Sequence, residues 1–203
     1  MKRTFFLAAM AIVTSLILSV PTARGDSISF AANLVGSLEV PPTGSPATGS
    51  ALVVIDTVAN TMQVNVTFSG LEGTTTASHI HCCLASPFLV GSNVGVATAV
   101  PTFTGFPLGV TSGTYSHLFD LTATSSYNPA FVALEGGTVA GAEAALVTGI
   151  ETGETYLNIH TMMFPGGEIR GFLVATPEPS SILLLGTGLL GILCMRRKLG
   201  RTT

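Results

Sequence analysis

Three short stretches carry the residues whose types and spacing could do chemistry. Ser78-His79-Ile80-His81 sets two imidazoles two residues apart. In an extended strand both point to one face, about 6.6 Å apart along the axis. Two imidazoles so placed can grip one metal ion; equally, the fold can simply satisfy them as hydrogen-bonding groups. The second stretch is Thr155-Tyr156-Leu157-Asn158-Ile159-His160-Thr161. Alternation along a strand puts Tyr156, Asn158 and His160 on one face, with Leu157 and Ile159 on the other. His160 can then complete a three-imidazole site with His79 and His81, suited to one Cu or Zn ion. The alternative is a Tyr/Asn/His hydrogen-bonding face that fixes strand register. The third stretch is Phe164-Pro165-Gly166-Gly167-Glu168-Ile169-Arg170-Gly171. Its Pro-Gly-Gly reads as a turn, and Glu168 and Arg170 share one face of the strand that follows.

Arg170 stands out once charge is mapped along the chain. It is the single basic residue between positions 26 and 176, where ten acids leave a net charge of about −9. Such a region cannot neutralise a phosphate backbone, so nucleic acid is excluded as a partner; anionic headgroups are disfavoured for the same reason. Arg170 must pair with an acid. Glu39, in Leu38-Glu39-Val40-Pro41-Pro42, is the candidate, while Glu168 is nearer in sequence. The expected role is structural, since a buried Arg–carboxylate pair fixes geometry more than it adds net stability. Cys82 and Cys83 follow His81 directly. Adjacent cysteines are not expected to bridge each other, because the ring is strained. They can bond between chains, stay thiols beside the histidines, ligate a metal through sulfur, or pack as small residues. No G-x-S-x-G or H-E-x-x-H motif is present, so hydrolase chemistry has no support.

The elements that must position these residues are strands. Met62 to Phe68 alternates apolar and polar, as a half-buried strand does, and Ala51 to Asp56 is more continuously apolar, with Asn60 a turn between them. Ser29 to Leu34, Ala77 to His81, Thr114 to Leu121, Glu154 to Thr161 and Gly167 to Val174 are further candidates. Residues 84–113 are rich in Pro, Gly and Thr and read as a long loop with a strand fragment. Gly141 to Val147 reads as a short helix. Short strands at this spacing predict an all-β antiparallel sandwich or barrel.

Both ends of the chain read as addresses. Lys2-Arg3, an apolar run from Phe5 to Val20 and Ala23-Arg24-Gly25 form a secretory signal peptide over residues 1–25. The domain then spans 26–175 and a sorting tail 176–203. In that tail Pro177-Glu178-Pro179 precedes an apolar segment and the basic cluster Arg196-Arg197-Lys198. The 15 residues from Ser181 to Met195 make a helix of about 22 Å, short of a hydrocarbon core of about 30 Å. A transient membrane stop suits that length better than a permanent span. Cys194 lies in this tail.

This order resembles the PEP-CTERM sorting signal of Gram-negative bacteria, which implies recognition by an exosortase, transient residence in the inner membrane and release to the cell surface or an extracellular polysaccharide matrix. The region between the addresses resembles the CHRD (chordin-type) domain. The likeness rests on Asn33-Leu34-Val35-Gly36 with Glu39-Val40-Pro41-Pro42, on Ala77 to His81, and on Tyr156 to Thr161 with Pro165 to Gly171. It implies an immunoglobulin-like β-sandwich or barrel, itself proposed from a limited likeness to copper/zinc superoxide dismutases, and no established activity. Cys82-Cys83 stands where small residues are expected. A two-metal dismutase site needs more imidazoles than His79, His81, His117 and His160 supply; one mononuclear site does not. The expectation is a non-enzymatic exported β-domain with a binding or structural role, its partners being exosortase, the secretion machinery and exopolysaccharide. The alternative is a mononuclear Cu or Zn protein, possible redox activity included.

Overall fold

The computed structural model describes residues 27–84, 91–176 and 187–188. The signal peptide, Pro177, Glu178, Pro179, Cys194 and the cluster Arg196, Arg197 and Lys198 lie outside the described residues.

Mostly β, the chain folds as one curled antiparallel sheet with few helices. Its strands are β1 (Ser27–Val35), β2 (Thr48–Asp56), β3 (Thr61–Ser69), β4 (Thr75–His81), β5 (Gly113–Asp120), β6 (Tyr156–Thr161), β7 (Ile169–Phe172) and β8 (Val174–Ala175). The order across the sheet is β4-β6-β7-β1-β2-β3-β5, with β8 also on β1. β2 and β3 pair along their whole length, from Thr48↔Ser69 to Asp56↔Thr61. The turn between them is built by its own residues. Asp56 Oδ1 accepts from the Val58 and Ala59 amides at 3.0 and 2.7 Å, and Asn60 takes the left-handed conformation (φ 53°) that asparagine tolerates.

Alternation decides which face is buried. Phe30, Ala32 and Leu34 of β1, Ala51, Val53 and Ile55 of β2, and Met62, Val64, Val66 and Phe68 of β3 share one core with Ile80 of β4 and Leu157 and Ile159 of β6. Curling brings the inner faces of both ends of the sheet onto that core. The end strands β4 and β5 do not pair with each other. Residues 95–112 cross the gap instead, with the Ala97 and Phe103 amides donating to the Ile80 and Ser78 carbonyls at 3.0 Å each, and Thr75 N donating to Val110 O at 2.8 Å. Phe103 inserts fully, stacking on Tyr115 (5.7 Å) and leaning on Phe119 (5.5 Å). A buried phenyl ring is worth roughly 1.5–3 kcal/mol, which holds this crossing against the core.

Two α-helices lie between β5 and β6. In α1 (Pro129–Leu134), Asn128 caps through the Ala130 amide and Pro129 occupies the first turn. Thr138 caps α2 (Val139–Glu151) through the Gly141 amide; its buried residues Ala142, Leu146, Gly149 and Ile150 form one stripe. The helix read from Gly141 to Val147 is therefore nearly twice as long, because the cap at Thr138 and the stripe reaching Ile150 extend it. α1 was not evident in the sequence. The strand read from Gly167 to Val174 splits in two at Leu173, whose amide turns to Thr155 O at 3.2 Å. One expectation is overturned outright: Cys82 and Cys83 are joined to each other by a disulfide, and the peptide between them is cis. They sit beneath α2 where Gly149 has no side chain; a Cβ there would meet the sulfurs at 2.6 and 2.9 Å. No helix among the described residues is long and apolar enough to cross a membrane.

Candidate metal centre

On the outer face of β4, β6 and β7 the polar residues form rows. His79, Asn158 and Arg170 stand side by side, since His79 pairs Asn158 and Asn158 pairs Arg170. His81, Tyr156 and Phe172 form the next row, and His160 lies beyond Asn158 on the other side, opposite Ala77. Strand alternation and the pairing of β4, β6 and β7 together gather residues from positions 79 to 172 onto one patch, while Ile80, Leu157 and Ile159 face the core.

The three imidazoles of this patch converge. His79, His81 and His160 each offer a ring nitrogen, and these atoms all lie within 4.8 Å of one another. Every ring is also held from behind by a backbone carbonyl: His79 Nε2 by Pro101 O at 2.7 Å, His81 Nδ1 by Val94 O at 2.8 Å, and His160 Nδ1 by Pro165 O at 2.9 Å. A carbonyl accepts, so each contact fixes a proton on the rear nitrogen and leaves a lone pair on the other. His79 Nδ1 and His160 Nε2 are buried and have no hydrogen-bond partner. Burial lowers the His79 and His81 pKa to about 4 and lowers that of His160, so the rings are neutral at neutral pH. Neutral imidazoles with carbonyl-fixed tautomers and inward lone pairs are the form in which histidine ligates a metal. Thr76, Ala77, Met162 and Pro165 line an open groove that reaches His79 and His160. The fourth histidine, His117, is on the inner face of β5 opposite Val64, away from this group.

Arg170 is fully buried beside the cluster. Its Nε donates to Leu38 O and lies 3.7 Å from Glu39 Oε2; Nη1 donates to Asn93 Oδ1 at 3.0 Å; and the guanidinium lies over the Tyr156 ring at 4.6 Å. Burial pushes the Glu39 carboxyl up to about 7 against the opposing pull of Arg170 and a hydrogen bond from Asn158. Residues 92–94 serve both groups, since Asn93 holds Arg170 and Val94 holds His81. Glu168, the other acid considered for Arg170, is turned elsewhere. It accepts from Ser45 Oγ and Glu72 N at 2.7 Å each, Thr161 Oγ1 at 2.7 Å and Gly73 N at 3.2 Å, and these bonds hold its pKa down despite burial. The Pro-Gly-Gly-Glu-Ile-Arg-Gly block thereby acquires a residue-by-residue reason. A Cβ on Gly167 would collide with the Glu39 carboxylate, and one on Gly171 with Asn33 O.

A curled antiparallel sheet with a covered polar patch is the class of domain the fold and site define, and the family comparison is specific. Residues 30–173 match the CHRD domain, and the chain belongs to that family. Directly after it, residues 175–198 match the PEP-CTERM protein-sorting motif. The motif marks an exported protein, made as a membrane-anchored precursor and processed by an exosortase to the cell surface. No curated protein and no solved structure matches the chain. The sequence left Asn158 as one member of a polar face and did not find its place beside His81, between His79 and Arg170. Its alternation with Tyr156 and His160 was the available signal. The carbonyls of Val94 and Pro101 could not be found that way, because a backbone group in a loop leaves no trace in residue type.

Proposed function

We propose that this protein is a non-enzymatic, exosortase-sorted β-domain that holds one divalent Cu or Zn ion at its outer face through His79, His81 and His160. The reading is supported above all by two buried imidazole nitrogens without partners, aimed at the same space as a third imidazole. An unpaired buried nitrogen costs on the order of 1–3 kcal/mol, and a cation would relieve it. Glu39 and Arg170 act structurally beside the site. The fold is read as immunoglobulin-like, with the tail as a transient membrane helix in a Gram-negative envelope. After sorting, the domain resides at the surface or in an exopolysaccharide matrix. Dismutase-like turnover is the lesser reading, because four histidines do not build a two-metal centre.

Elemental analysis of the periplasmically expressed protein tests this directly. One equivalent of copper or zinc is expected, and a His79→Ala/His81→Ala variant should retain none. Metal-free protein that gains no affinity on titration with either ion would remove the reading.

A further inference from the structure

Asn158 sits between the two halves of the patch, as Tyr156 does through its contacts with His81 and Arg170. Asn158 lies between His79 and Arg170 in the strand register and is almost wholly buried. Its Oδ1 is 3.1 Å from His81 Nε2, while His81 Nδ1 is 2.8 Å from Val94 O. Both neighbours of the ring are thus carbonyl oxygens. A neutral imidazole has one proton and can donate to only one of them. Whichever nitrogen carries it, the other presents a lone pair to an oxygen lone pair. The oxygen is the end of the amide set toward His81, and the amide also acts on the Glu39 carboxyl, drawing its pKa down against burial. Glu39 is in turn held by Arg170. The Asn158 oxygen thus faces His81 Nε2.

We propose that the Asn158 side-chain carbonyl is a fourth ligand of the ion held by His79, His81 and His160. This rests on the three-histidine reading above. A cation next to His81 Nε2 accepts both facing lone pairs and leaves Nδ1–H to Val94 O, so both His81 nitrogens and the Asn158 oxygen are satisfied. The observed 3.1 Å is close to the edge of a tetrahedron, about 3.3 Å for ligands roughly 2.0–2.1 Å from the metal. Three imidazoles and an amide oxygen form a borderline-to-hard set, which suits Zn(II) or Cu(II) over Cu(I).

The test compares wild-type protein with Asn158→Leu, which keeps the volume and removes the oxygen, and Asn158→Asp, which keeps an oxygen. Zn(II) affinity is measured by competition, and Co(II) serves as a spectroscopic probe of the ligand set. Asn158→Leu should lose about tenfold or more in Zn(II) affinity and change the Co(II) visible bands. Asn158→Asp should bind at least as tightly as wild type. Should Asn158→Leu fail to fold, the wild-type Asn158 side-chain amide resonances decide, and Zn(II) must shift them. Wild-type affinity with an unchanged Co(II) spectrum in Asn158→Leu, or unshifted resonances, overturns the fourth ligand and leaves the three histidines standing. Wild-type protein that binds neither ion removes both.

Discussion

The two halves of the sheet use the same strand alternation to opposite ends. In β2, β3 and β5 the outward residues Ser50, Leu52, Thr67, Thr114, Ser116 and Leu118 face water. Their hydrogen bonds, Ser50 to Thr67 at 2.8 Å and Ser116 to Asn65 at 2.8 Å, are exposed. In β4, β6 and β7 the outward residues His79, His81, Tyr156, Asn158 and Arg170 are covered by residues 92–101 and the segment around Glu39. Sequence period is the same in both. What differs is the loop laid over the second half, and burial under it turns a polar face into a set of groups that must all find partners.

That contrast can be broken in several ways. The largest effect is expected at Arg170. Arg170→Leu strands Glu39 in the interior and should cost about 3–5 kcal/mol in denaturant unfolding; a loss below 1 kcal/mol would mean the covered face is no more demanding than the exposed one. Acidification comes next. His79 and His81 titrate near 4 when folded and near 6.5 when unfolded, so the unfolded chain binds more protons between those values. Stability should fall as pH drops from about 6.5 to about 4. Glu39, raised to about 7, works the other way between 7 and 4.5. The net loss should be roughly 2–4 kcal/mol, read as a falling Tm, and a Tm that rises over this window would contradict the assignment of neutral buried rings. Metal ranks third. Zn(II) at a hundred times its Kd should stabilise the protein by about 2.7 kcal/mol, and EDTA should abolish the gain. Glu168→Gln should cost about 2 kcal/mol, because four donors lose a charged acceptor. Ser116→Ala on the exposed half should stay within about 0.5 kcal/mol; a cost equal to that of Glu168→Gln would erase the distinction.

Legibility in the sequence follows the same division. β2 and β3 are nearly self-evident, since Met62 to Phe68 alternates and Asn60 marks the turn. The outward grouping of Tyr156, Asn158 and His160 is also readable, because a period of two survives whatever covers it. Strand partners are not. That His79 stands opposite Asn158, and Asn158 opposite Arg170, depends on β4, β6 and β7 lying side by side, which no local pattern states. α1 escaped because six residues give too short a stripe to read. The bond between Cys82 and Cys83 ran against the general strain of such rings, and only the fit of both sulfurs under Gly149 makes its place in the fold intelligible.

The loop crossing from β4 to β5 has a consequence outside the cell. A sheet that does not close leaves two end strands, and a bare end strand is a template on which another chain can add itself. Here the carbonyls of Thr75, Ser78 and Ile80 along the rim of β4 are already engaged by Gly109, Phe103 and Ala97. An exported protein processed to the cell surface, far from cytoplasmic chaperones, thus presents its neighbours with a β4 rim that is already occupied.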